Sequence, residues 1–174
     1  MSPATIFQIQ LVLGYVPWLL YLSAYVWPRL KAMDDVEAHR AIATLHSFRF
    51  FGLVFIVPGF VGAHLPAGFA TFSAYGDFAT GLLAMLALFT VRTRSLFWAF
   101  VVAFNVVGAG DILVDYYHGI TLGLAEQAGE LGAAYAIPIL YVPALMITHA
   151  VAFYLLVRRP AAAWDGAAYA VNKE

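Results

Sequence analysis

Cysteine is absent from the 174 residues. That excludes disulfides, thiolate metal sites and a cysteine nucleophile. Charge is scarce as well. Asp, Glu, Lys and Arg make up 11% of the chain, less than half of the roughly 25% carried by ordinary soluble domains. No basic stretch is interleaved with aromatics, so nucleic acid is not an expected partner. GxGxxG, Walker, HExxH and GxSxG patterns are all missing, so no short motif names an activity. The opening MSPATIFQIQ holds no Lys or Arg. It lacks the basic n-region of a secretory signal, and the first apolar run is read as a retained helix. There is no fixed-period repeat.

What remains is hydrophobic: 63% of residues are apolar or aromatic. A small soluble domain has no interior volume for that much apolar surface, whereas a bilayer accommodates it. About 20 apolar residues cross the hydrocarbon core as a helix. The runs of that length predict an all-α integral membrane protein with five transmembrane helices, at 6–27, 39–63, 74–91, 95–117 and 132–157. Residues 1–160 form the transmembrane domain, and 161–174 a short tail whose Trp164 and Tyr169 rest on the headgroups. Residues 64–73 form an apolar interfacial link. Five helices do not divide into two equal inverted halves.

The cations orient the bundle. Eight of the nine Lys and Arg lie in the 29–40 loop, the Arg92/Arg94 turn and the tail after Val157; the ninth is Arg49. With alternating helices these three segments share one side, as the positive-inside pattern requires. The expected topology is N-out and C-in, multi-pass, in the inner (plasma) membrane.

The stretch His39–His64 holds polar groups where they are costly. Its three histidines are 7 and 18 residues apart, about two and five turns, so a continuous helix puts them on one face. His39 falls at the cytoplasmic surface and His64 at the outer rim. A charged group at the helix centre costs about 2.5–3.5 kcal/mol on insertion scales, which makes each one a site hypothesis.

Two layers emerge. The inner one is His46, Arg49 and His149, each about 9–13 Å from the cytoplasmic ends of their helices by the 1.5 Å rise. The outer one is His64, Asp77, Asp111, Asp115 and His118, in which Asp111, Asp115 and His118 form an i, i+4, i+7 stripe. Asp77 at a helix start is favoured by the dipole, and His118 before Gly119 suits a C-terminus. Asp111 is too deep for a cap and must be neutral, paired or hydrated. Depth argues against a direct pair with Arg49.

Pro58, Pro138 and Pro143 leave the carbonyls of Val54, Ala134 and Ile139 without their helical donors. Gly52, Gly59, Gly62, Gly81, Gly108 and Gly110 permit close helix approach. Tyr15, Trp18, Tyr21, Tyr25, Phe48, Phe50 and Phe51 face lipid, pack helices or stack on a ligand.

Several functions fit these residues. The first is a pocket of His46, Arg49, His149, Asp77 and Asp111 that binds an amphipathic or lipidic small molecule and acts on it by acid–base chemistry. The second is a b-type haem electron carrier, with His46 and His149 as axial ligands. The third is a non-catalytic interaction subunit whose polar groups fix helix register. A structural network of the same residues, bonded to Thr44, Ser47 and Thr148, needs no ligand. A divalent metal held by Asp111, Asp115, His118 and His64 is a further option. Expected partners are the bilayer, the small molecule and a second copy of the chain in a homo-oligomer.

Overall fold

The structure, a computed structural model, describes residues 1–158. Arg159 and the 161–174 tail with Trp164 and Tyr169 lie outside the described residues. The described chain is all-helical, with no strand. Four helices are long and apolar enough to cross a membrane: α1 (Pro3–Ala32), α3 (Ala67–Phe89), α4 (Arg94–Thr121) and α5 (Ile137–Arg158). Between α1 and α3 lies α2 (Asp35–Ser47), which continues as a 3-10 segment, Phe48–Ile56.

Local chemistry sets the starts. Ser2 caps α1 by accepting from the Thr5 N–H at 3.2 Å, with Pro3 in the first turn, where its missing N–H costs nothing. Asp34 caps α2, its carboxylate accepting from Val36 and Glu37 at 2.9 and 3.0 Å. Asp35 and Glu37 add negative charge at that positive end of the dipole. Pro17 is absorbed inside α1, and Trp27-Pro28-Arg29 does not end that helix. A π-helical turn, Leu22–Val26, precedes Pro28, and the helix runs on to Ala32. A second π-helical turn, Ile137–Tyr141, opens α5 around Pro138.

The 39–63 helix is corrected. Regular α-helix ends at Ser47, and nine residues of 3-10 helix follow, well beyond the usual run of about 3–4. The segment lies backbone-close to α3: a Cβ on Gly81 would come within 2.9 Å of the Phe50 nitrogen. Pro58 is therefore not inside a helix. It sits in a turn, and the Val54 carbonyl expected to be free accepts from the Val57 N–H at 3.2 Å. The Ile139 carbonyl that Pro143 cannot serve faces Gly14 of α1, where any Cβ would run into it.

The 64–73 link is also shorter than expected, because α3 begins at Ala67. At the other end α4 continues to Thr121. Both extensions move carboxylates away from helix ends. Asp77 is ten residues from the start of α3, and Asp111 ten from the end of α4, each about 15 Å at the α-helical rise.

Two apolar clusters form the core. One gathers Leu30, Ile42, Ala84, Phe97, Phe104 and Val151; the other Phe7, Val54, Phe69, Leu124, Leu131 and Ile137. Along α2 with its 3-10 extension, and along α3 and α5, the buried His46, Arg49, Asp77, Thr80 and His149 fall between the positions that feed these clusters. A polar layer is thus enclosed by hydrophobic packing on both sides.

Candidate functional site

Arg49 is the hub of that layer and is 1% exposed. Its Nε donates to Asp77 Oδ1 at 2.6 Å, and one terminal nitrogen donates to Asp111 Oδ2 at 2.5 Å. The other terminal nitrogen donates to the Gly108 carbonyl at 3.1 Å and reaches His149 Nε2 at 3.3 Å. All three guanidinium nitrogens are committed. Only a planar fork with five N–H groups serves partners in so many directions.

The expectation that depth separates Arg49 from Asp77 and Asp111 is overturned. Three shifts bring them together: α2 starts at Asp35 rather than His39, which sets Arg49 about 6 Å deeper at 1.5 Å per residue, α3 starts earlier, and α4 ends later. Asp77 is not a helix-start carboxylate but half of a buried ion pair. Each carboxylate rests on a glycine of another element. A Cβ on Gly52 would collide with Asp77, and one on Gly76 with Asp111.

The histidines complete the layer. Because a guanidinium only donates, His149 Nε2 accepts from Arg49, and its Nδ1–H donates to Asn105 Oδ1 at 2.9 Å. Asn105 in turn donates to the Val101 carbonyl at 2.8 Å. Thr148 donates its hydroxyl to the Ala144 carbonyl at 2.8 Å, so it accepts from His46 Nε2 at 3.0 Å. These bonds make His149 neutral with its proton on Nδ1, and place a proton on Nε2 of His46. The two rings lie against each other with centroids 4.0 Å apart and planes tilted by 37°.

That geometry does not fit the bis-histidine haem. Axial ligands stand on opposite faces of a porphyrin, and rings this close leave no room for a macrocycle between them. His149 moreover spends both nitrogens on Asn105 and Arg49. The residues as arranged hold no haem.

The metal set also fails to assemble. His64 is exposed on the loop after the 3-10 segment, where its backbone N–H donates to Glu130 Oε2 at 2.9 Å. Asp111 is bound by Arg49, while Asp115 Oδ1 accepts from the Ser73 hydroxyl at 2.7 Å. His118 packs edge-on against Phe72, centroids 5.1 Å apart. Among the described residues no group of three or more His, Asp or Glu is placed to hold a metal ion. The three-histidine face is likewise broken. His39 is buried rather than solvated, its Nδ1 2.7 Å from the Asp35 carbonyl and its ring edge-on to Trp98.

Beside the polar layer lies a cavity of about 380 Å³, built by α1, the 3-10 segment, α3, α4, α5 and the loop after α4. Its walls are apolar, with Phe7, Leu11, Phe55, Phe69, Ile112 and Ile137 among them. Its polar lining includes Ser73, Asp77, Asp115 and Tyr116, with Glu126 exposed at the loop. The Tyr116 hydroxyl meets that of Tyr15 at 2.5 Å, joining α4 to α1 beside the cavity. Of the five residues expected to form the pocket, only Asp77 borders it. Arg49, Asp111, His46 and His149 stand outside its lining.

Sequence reasoning passed over Ser73, Asn105 and Tyr116. A signal for two of them existed. Ser73, Asp77 and Thr80 repeat at i, i+4, i+7, and Asn105, Gly108 and Asp111 at i, i+3, i+6. Each set is one helical face carrying polar or small residues through an apolar run.

A family model described as a domain of unknown function (DUF8737) matches residues 6–157, and the chain belongs to that family. No curated protein matches the chain, and no solved structure matches it.

Proposed function

We propose that this member of the DUF8737 family is a five-span protein of the inner membrane, N-terminus outside and C-terminus in the cytoplasm, whose intramembrane cavity binds an amphipathic or lipidic small molecule. Four of the spans are the long apolar helices. The fifth is 35–56. Thirteen α-helical residues and nine 3-10 residues extend about 37 Å at 1.5 and 2.0 Å per residue, more than the roughly 30 Å of the hydrocarbon core. Five crossings put Arg29, Lys31 and Arg40 on the same side as Arg92, Arg94 and Arg158, in keeping with the positive-inside rule.

One observation carries the binding role: an apolar cavity of about 380 Å³ that ends on the carboxyls of Asp77 and Asp115. Its volume is within the range of small-molecule sites, roughly 300–1,000 Å³, and such sites combine apolar walls with a few polar groups. The Arg49 network is the scaffold of this site rather than its contact surface. It holds Asp77 at the cavity edge and locks α3, α4 and α5 in register. Binding is the role assigned, since neither His46 nor His149 borders the cavity.

Photoaffinity labelling tests this reading. An amphiphile with a diazirine on its chain is expected to mark peptides containing Phe7–Leu11 and Ile112–Ile120, and unlabelled lipid extract should compete. Labelling spread evenly over the lipid-facing helix surfaces, without competition, would contradict a defined site.

A further inference from the structure

The charge lining the cavity is of one sign. Its acidic side chains are Asp77, Asp115 and Glu126; among the described residues no Lys, Arg or His borders it. Arg49 is the nearest basic group in the layer, and its three nitrogens are taken by Asp77, Asp111, Gly108 and His149. A carboxylate or phosphate entering the cavity would meet acids and find no free cation.

The acids are themselves short of positive charge. Asp77, Asp111 and Asp115 face a single guanidinium, and buried carboxylates are costly unless paired or neutralised. Asp115 has the Ser73 hydroxyl on Oδ1 and no hydrogen-bond partner on Oδ2 among the described residues. The Asp77 side chain is 9% exposed and borders the cavity; it gives Oδ1 to Arg49, while Oδ2 lies against Gly52 and has no such partner. These are acceptors awaiting a donor at the polar end of an apolar chamber.

From this we infer that the cavity selects a single-chain amphiphile with a protonated amine head. The inference rests on the cavity being a binding site and adds the class of molecule it takes. The ammonium group, with its three N–H donors, neutralises Asp115 and bonds the free oxygens of Asp115 and Asp77. The alkyl chain lies along Phe7, Leu11, Phe69 and Ile112. A cavity of about 380 Å³ is near the small end of ligand sites, which favours one chain over the two of a phospholipid.

The test is equilibrium binding of dodecylamine, dodecanol and dodecanoate to the full chain purified in detergent. Dodecylamine is expected to bind at least about tenfold more tightly than the other two, since only its head group forms charge-assisted hydrogen bonds to the carboxylates. Asp115→Asn is expected to erase that preference while dodecanol binding persists. A preference for dodecanol or dodecanoate by the unmodified chain overturns the amine assignment and leaves the binding site standing. Binding of none of the three overturns the site itself. Amine preference unchanged in Asp115→Asn overturns the role given to that carboxylate. The comparison of three probes on the unmodified chain decides the head group even if the variant does not fold.

Discussion

Arg49 is the residue on which the polar layer depends. It closes two ion pairs with 1% of its side chain exposed. Removing one partner of a buried pair strands the others, at about 3–5 kcal/mol. Arg49→Ala is expected to lose about that much stability, read as a large drop in melting temperature in detergent. Arg49→Lys should recover only part of it, because an ammonium cannot fork to two carboxylates and a carbonyl as the guanidinium does. Melting of Arg49→Ala at the wild-type temperature would show that the pairs do not hold the bundle. Asn105→Leu leaves the His149 Nδ1–H without its acceptor and is expected to cost about 1–3 kcal/mol. At this scale the sequence was informative about which residues are exceptional and poor on who meets whom. Arg49, His46, His149 and Asp111 stand out as polar groups in apolar runs. Their pairing does not follow from that, because depth depends on helix ends: α2 starts at Asp35, α3 at Ala67, and α4 runs to Thr121.

Among the elements, the start of α2 at Asp35 rather than His39 shifts Arg49 most, by about 6 Å, while the 3-10 segment Phe48–Ile56 lies almost wholly beyond Arg49 and adds about 1 Å. Hydrophobic periodicity records that a stretch is apolar and helical, but it does not report whether the rise is 1.5 or 2.0 Å. Helix ends were equally hard to place, since α3 starts in the apolar 64–73 stretch with no side-chain cap at Pro66. The close fit of α3 to its neighbours gives a prediction at this scale. In Gly76→Ala the new methyl collides with Asp111, whereas in Gly110→Ala it enters open space. The first is expected to lose about 1–3 kcal/mol through overpacking. The second should be neutral or gain up to about 1 kcal/mol, since alanine is the better helix former. Equal melting temperatures for the two variants would count against the packing of α3 on α4.

For the whole molecule, the all-helical character was legible in the long apolar runs, and four of the five expected spans appear as helices long and apolar enough to cross a membrane. The fifth depends on whether 35–56 crosses. The cysteine-free chain makes this direct to test. Single cysteines at Glu37 and Gly129, both exposed, should be labelled by impermeant maleimide from opposite sides of the membrane, Glu37→Cys from the cytoplasmic side. Labelling from the same side would mean that 35–56 turns back without crossing. The cavity, in contrast, was not legible. It is formed by side chains from α1, the 3-10 segment, α3, α4, α5 and a loop, and no linear pattern records where six such segments leave space.

Native mass spectrometry of the intact chain, released from mild detergent, is the most direct measurement of the central claim that this space holds a small amphipathic molecule. The wild-type protein is expected to carry a bound mass, retained from the membrane or regained on adding lipid extract. Ala125→Trp and Leu11→Trp, which place an indole in the cavity lining, should lose it while keeping a folded melting transition. An unliganded wild-type chain in the presence of lipid extract, or a bound mass that persists undiminished in both tryptophan variants, would contradict the account.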